Sequence, residues 1–317
     1  MSVPTGTLTT YDSIGEREDL ADVIYNVDPT DTPFISTIAT VKATAVNHEW
    51  QTQALRAAVT TNAVLEGSDA VINSRTATVR LGNICQIMDE TASVTGTQQV
   101  VKKAGRDDEM DYQLILAGKE LKRDMEATAL TNQAKATGDN TTARTMASVL
   151  SWIGTNDDFG GGSGASPTSL DGTAARTDGT QRAFTEAQLK TVLNLIWGNG
   201  GDPETIMLGG FNKQVMSGFV GRGTPTEDTK AKKIIAAVDV YESDFGTLRI
   251  VPNRNNPRTR DALIFQMNMW AKATLRNMKT IDLAVTGDNR KKQIVTEWTL
   301  ESRNEKASGG VFDLTTS

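Results

Sequence analysis

The sequence predicts an α+β chain. Three observations carry that class: a long amphipathic helix over residues 98–135, two long β-hairpins at 44–88 and 262–303, and an alternating helix–strand stretch over 184–253. At 317 residues the chain exceeds the roughly 100–200 residues of one ordinary domain, so one large or two smaller domains are expected.

Residues 1–33 are polar and punctuated by Pro4, Gly6, Pro29 and Pro33. A short helix is expected over 14–25, with Ile14, Leu20 and Ile24 near one face. The rest reads as an arm too poor in apolar residues to fold alone. Residues 44–56 read as an extended strand. Residues 75–88 read as its partner, because Ala77, Val79 and Leu81 alternate with Thr76, Thr78 and Arg80. A polar stretch over 62–69 separates the two. An isolated hairpin is marginal in water, so this one must lie on its own domain or on another chain.

The helix signal comes from Met110, Leu114, Ala117, Leu121 and Met125, which form one stripe. Asp107, Asp108, Glu109 and Asp111 cluster where the positive end of the helix dipole favours acids, and Gly138 reads as the stop. At 1.5 Å per residue such a helix spans about 45 Å, the length of a strut. Residues 154–182 read as a flexible surface loop around Gly160–Gly164. Beyond it, Leu189, Val192, Leu193 and Ile196 predict a helix over 186–197. A strand at 205–208, a helix at 212–220 and a strand at 248–251 follow. The last hairpin pairs strands over 262–285 and 293–303 around a charged turn at 287–292.

Composition removes several functions. The 33 Lys plus Arg against 39 Asp plus Glu leave a net charge of −6, which argues against nucleic-acid binding over the whole surface. One Cys and one His exclude an internal disulfide and a Cys/His zinc site, and a Ser-His-Asp triad would rest on His48 alone. No stretch approaches 18–20 apolar residues, so no membrane helix is expected, and the N-terminus has no signal-peptide pattern.

The candidate motifs are weak. Gly160–Gly164 lacks the Lys-Ser/Thr of a phosphate loop, and Gly218–Gly223 lacks the strand–turn–helix context of a dinucleotide fingerprint. Asn156, Asp157 and Asp158 lack the spaced oxygen ligands and closing Glu of a calcium loop. His48 reads as a packing or interface residue and Cys85 as a small buried hydrophobe. Carboxylate pairs abound, but aromatics are 5% and scattered, so no sugar platform accompanies them. Basic clusters at Lys230/Lys232/Lys233, Arg254/Arg258/Arg260 and Arg290/Lys291/Lys292 have no interleaved aromatics and read as solvated faces or inter-chain ion pairs. No active site and no cofactor are expected. An arm, unsupported hairpins and a strut suit a shell subunit, in which many modest contacts sum on closure.

Particular runs sharpen this reading. The stretch Tyr11 to Tyr25 (YDSIGEREDLADVIY) leads into Asp28 to Phe34 (DPTDTPF). His48 to Thr52 (HEWQT), Glu66-Gly67, Tyr241 to Gly246 (YESDFG) and Val251 to Arg254 (VPNR) follow in order. Together they resemble a subfamily of tailed-bacteriophage major head proteins with the Hong Kong 97-type capsid fold, over nearly the whole chain. Gln53 departs from the carboxylate expected in relatives, and Gly160–Gly164 has no match.

The resemblance implies an N-arm at 1–43, an E-loop at 44–88, a peripheral (P) domain with its spine helix at 89–142, an axial (A) domain at 143–253, and a return to the P-domain sheet at 254–317. It implies self-assembly into pentamers and hexamers of an icosahedral shell in the virion, built in the host cytoplasm around double-stranded DNA held without sequence specificity. Portal, scaffolding and decoration proteins are the implied partners, with no membrane. The family-like motif begins by Tyr11, so no fused scaffolding domain is expected. No Lys–Asn–acid trio for covalent cross-linking is recognisable. Glu66 and Asp69 at the E-loop tip, and Arg290, Lys291 and Lys292 at the P-domain turn, are the candidate inter-subunit contacts. Within the same fold the alternative is an encapsulin-like nanocompartment shell; in another class it is a hydrolase.

Overall fold

The computed structural model describes residues 30–73, 75–219 and 239–317. The expected helix at 14–25, the last residue of the helix expected at 212–220, and the Lys230/Lys232/Lys233 cluster lie outside them.

The described chain opens with a one-turn helix, α1 (Pro33–Thr37), and strand β1 (Ala39–Lys42). The hairpin strands are β2 (Asn47–Thr52) and β3 (Val79–Ile84), and β4 (Gln86–Thr95) continues beyond Cys85. Helices α2 (Gly96–Val100) and α3 (Glu109–Leu130) follow. After the short β5 (Asp157–Asp158) come α4 (Glu186–Gly198), β6 (Thr205–Leu208) and α5 (Gly210–Ser217). The chain closes with β7 (Val240–Ser243), β8 (Gly246–Pro252), β9 (Ala262–Phe265), β10 (Trp270–Asp282), β11 (Asn289–Ser302) and β12 (Gly309–Val311).

Two main sheets organise these strands. One has four strands in the order β1-β10-β11-β4, and the other six in the order β5-β12-β9-β6-β8-β7. The first carries α3 across β4 and β11, where Met110 and Leu114 meet Ala92 and Val94, and Ala117 and Leu121 meet Ile294. The second carries α4, whose Leu189, Val192, Leu193 and Ile196 all bury against Ile206, Ile250, Ile264 and Val311. A shared core of Phe34, Met125, Trp152, Phe265, Trp270, Trp298 and Phe312 joins the two.

Several expectations change. The long helix is really two: α2 ends at Val100, Gly105 adopts φ +77°, and α3 starts only at Glu109. The acid cluster explains that start, because the Asp108 carboxylate caps the helix by accepting the Asp111 N–H at 3.0 Å. Its 22 residues span about 33 Å rather than 45 Å. It stops at Leu130; Gly138 lies in a later turn at φ +65°.

The region expected as an arm is stitched to its own chain from Pro33 onward: β1 runs parallel to β10, and Phe34 is fully buried. Residues 254–317 divide between the sheets, with β10 and β11 in the first but β9 and β12 in the second. The reason is visible in β9, whose four residues Ala-Leu-Ile-Phe are all buried, as a central strand requires. The charged turn also shifts. Asp282 already pairs with Lys292, so Arg290, Lys291 and Lys292 are strand residues of β11, and the connection is 283–288.

Candidate functional site

The hairpin β2–β3 is anchored at its root and open at its tip. At the root, the buried Asn83 amide donates to the carbonyls of Ala147 and Leu300, at 3.0 and 2.8 Å, and its oxygen accepts the Ala147 N–H. Trp50 packs on Trp152 with ring centroids 5.4 Å apart, and His48 Nε2 lies 2.9 Å from Glu301 Oε2. Gly82 sits where a Cβ would press on Glu49, so the two strands close tightly there.

Past Thr52 the chain leaves this support. Residues 53–73 and 75–78 are all exposed, including Leu55 at 95% and Ile72 at 96%. A structureless connection of this length is normally a functional loop, and clustered exposed apolar side chains mark an interaction surface. Its local order is a turn at Leu65–Ser68 with Gly67 at φ +78°, plus Gln53 Nε2 donating to Thr76 O at 2.7 Å. Glu66 and Asp69 stand at this turn, exposed, and among the described residues neither pairs with a cation of its own chain.

The structure does not pair them with the three basic residues. Lys291 Nζ donates to Thr286 Oγ1 at 2.8 Å, and Lys292 lies 3.7 Å from the exposed Asp282. Arg290 is exposed at the end of β11, close enough to α3 to act on its cap, Asp108. The Asp108 carboxyl sits below its usual range, chiefly through the Gln99 side-chain hydrogen bond.

The tip of the glycine loop, 161–163, is at the surface as expected, but its base is held in place. The buried Asp313 carboxylate ties it down, accepting Gly160 N–H at 3.1 Å, Gly179 N–H at 2.9 Å and Arg260 Nη2 at 2.6 Å. Arg258 donates through Nη1 and Nη2 to Asp178, at 2.9 and 2.5 Å, and through Nε to the fully buried Asp261 at 2.7 Å. Arg258 and Arg260 are therefore intramolecular clasps rather than solvated faces or inter-chain partners. A glycine run gives no hint of this, since its anchors lie some 80–150 positions away in the chain.

The residues singled out for chemistry are engaged within the chain. Asp157 pairs with Arg176 and Asp158 with Arg182, so both calcium candidates are already neutralised. Among the described residues no His/Cys/Asp/Glu group has metal-holding geometry, and no helix is long and apolar enough to cross a membrane. Cys85 is buried, and desolvation together with nearby Glu297 pushes its thiol up to about 11, far from a reactive thiolate.

A sheet bearing a spine helix, a second sheet joined to it through a shared core and a long uncovered loop make up the Hong Kong 97-type fold that this chain shares with solved phage capsids. Residues 3–315 match the SU10 major capsid protein family, and the chain belongs to that family. It is 28% identical over 351 aligned positions to the major capsid protein of Escherichia phage Phieco32, covering 98% of both chains. Solved structures share the fold. A chain of the cyanophage A-1(L) capsid asymmetric unit superposes with a TM-score of 0.66 at 13% identity, covering 97% of this chain and 99% of that one. A capsid chain of a native GTA particle gives 0.62 at 10% identity, covering 96% and 98%. The protein is thus a structural subunit of a phage capsid that self-assembles into the shell of the virion.

Proposed function

We propose that this subunit forms the pentamers and hexamers of an icosahedral head around the double-stranded DNA of a tailed phage. One observation carries this reading: a rigidly rooted loop presents apolar side chains that its own chain leaves uncovered. Burying a leucine or isoleucine is worth about 1.5–3 kcal/mol, so repeating such a contact at each subunit boundary gives a large sum.

The domain limits follow the notation of the fold: N-arm 1–43 with its last part stitched to β10, E-loop 44–88, P-domain 89–142, A-domain 143–253, and a final segment 254–317 serving both sheets. The mild acidity suits a container that encloses DNA without gripping it. Portal, scaffolding and decoration proteins complete the head, and assembly takes place in the host cytoplasm. The subunit has no catalytic role and forms no covalent cross-link.

Glu66 and Asp69, with Arg290, Lys291 and Lys292, contribute rim charges that set the direction of contact more than its strength. Electron microscopy of the purified protein tests the main reading. Hollow icosahedral shells or rings of five and six subunits are expected, and a discrete monomer would overturn it. Shells loaded with a protein cargo and no genome would point to a nanocompartment. Reversing the charge of Arg290, Lys291 and Lys292 together should impair assembly while the far-ultraviolet dichroism stays native. Boiling in SDS should leave single chains.

A further inference from the structure

Beside the covered face of the four-stranded sheet, the half-buried Lys272 of β10 and the exposed Lys122 of α3 have no acid partner among the described residues. Lys272 is the third residue of β10, opposite Thr40 on β1 and Leu300 on β11. Alternation puts it on the same face as Trp270, which is fully buried in the core that α3 reaches through Met125. A lysine on such a face ordinarily has a carboxylate partner. Among the described residues Lys272 has no ion pair or hydrogen bond, and neither does Lys122 on α3. Burial, and then the charge of Lys122, hold the Lys272 ammonium below the ordinary lysine range. Of the acids around Lys122 on the helix, Glu120 and Asp124 line the neighbouring cavity, and Glu126 stands one turn beyond. Its oxygens are taken by the N–H groups of Phe34 and Ile35 and by the Asn253 amide.

Both lysines line one cavity of about 380 Å³ between α1, α3 and β10. Its wall carries the hydroxyl groups of Thr32, Ser36, Thr40 and Thr274 and the amide of Asn277, and no carboxylate lines it. The cavity between α3 and residues 254–257 differs in kind, because Glu120 and Asp124 there balance Arg123 and Arg254. Among the described residues, two lysines, several hydroxyl-bearing side chains and no acid line this pocket, so a bound anion would balance its charge.

We propose that this cavity binds a phosphate-class oxyanion, held between the Lys122 and Lys272 ammonium groups and hydrogen-bonded by the surrounding hydroxyls. The volume is more than ten times the ~30 Å³ share of a liquid water molecule, so it accommodates an esterified phosphate as well as the inorganic ion. Free phosphate and the backbone of duplex DNA are the two sources of that chemistry.

The test uses the full-length protein and a lysine-acylating reagent, with modification of each lysine read by mass spectrometry. Inorganic phosphate, compared with chloride at equal ionic strength, should saturably protect Lys122 and Lys272, while Lys119, exposed like Lys122 but outside the cavity, reacts as before. K272M keeps the apolar stem and removes the buried charge, so it should fold. It should also lose both the protection of Lys122 and the phosphate-induced rise in melting temperature. Protection by a short DNA duplex would assign the site to backbone phosphates, and protection by inorganic phosphate alone to the free ion; either supports the site. Equal protection of Lys119, no protection by either ligand, or full protection retained in K272M would overturn it. So would lysines that become shielded only on shell assembly, without added anion, because a neighbouring subunit would then fill the pocket.

Discussion

Residues 53–78 and 154–182 are both long segments with little regular structure, yet the distribution of their side chains is inverted. The first holds Leu55, Val64, Leu65, Val71 and Ile72, and its described residues, 53–73 and 75–78, are all exposed to solvent. The second is glycine-rich and polar, yet Asn156, Gly160, Pro167, Gly172 and Arg176 within it are buried. The polar segment is satisfied inside its own chain, by ion pairs and backbone donors. The apolar one is not: among the described residues nothing of its own chain covers it. For a shell protein this division makes sense: the charged clasp fixes the subunit's shape, and the loop keeps its hydrophobic surface for assembly.

The largest effect should come from breaking the clasp. Arg258→Ala would strand Asp261, fully buried, and Asp178 without their shared guanidinium. Removing one partner of a buried pair costs about 3–5 kcal/mol, so the denaturation midpoint should fall sharply. A loss below 1 kcal/mol would mean that the segment is held by packing instead.

Glycine positions within the loop sharpen the contrast on a smaller scale. A Cβ on Gly160 would collide with the Thr180 carbonyl oxygen, whereas one on Gly161 meets nothing within 4 Å. Gly160→Ala should therefore cost about 1–3 kcal/mol through enforced backbone shifts. Gly161→Ala, at the very next residue, should stay within about 0.5 kcal/mol of the parent in the same melt. Equal effects would show that the loop yields as one flexible piece.

How much of this was legible in the sequence depends on the range of the interactions. The stripe on α3, the buried face of α4, strand β6 and the pairing of β2 with β3 are written in local periodicity, and they stand where that periodicity puts them. The break at 101–108 was hidden because the apolar stripe says nothing about where a capping Asp108 interrupts the backbone. The clasp was hidden because Asp313 is one aspartate among many until folding brings it to Gly160 and Arg260. Strands β9 and β12 were misplaced for the same reason, since sheet membership is a long-range property. The exposed turn that carries Glu66 and Asp69 could be read from its Glu-Gly pair, but the internal engagements of Lys291 and Lys292 could not be read locally.

Acid should reveal the clasp through its titration. The Arg258 hydrogen bond, with the charges of Arg258 and Arg260, holds the Asp178 carboxyl below its usual range. Its stabilisation is therefore present above the unfolded-state pKa and fades as pH falls through the lower folded value. D178N removes that carboxylate, so it should be less stable than the parent near neutrality and converge on it in acid. A stability difference independent of pH would show that the interaction is not ionic.

The smallest effect on the isolated chain should come from the loop. Leu55 and Ile72 touch almost nothing in their own subunit, so replacing both with serine removes no burial from it. The melting free energy should move by no more than about 0.5 kcal/mol. Unfolding measured at concentrations too low for assembly would check this. The same variant should fail to build shells at concentrations where the parent assembles, since each contact it loses recurs at every boundary. The pair of measurements separates two roles for an exposed leucine. A drop in monomer stability would mean that the loop folds back on its own chain in solution. An unchanged monomer that no longer closes a shell would place those side chains at the subunit boundary.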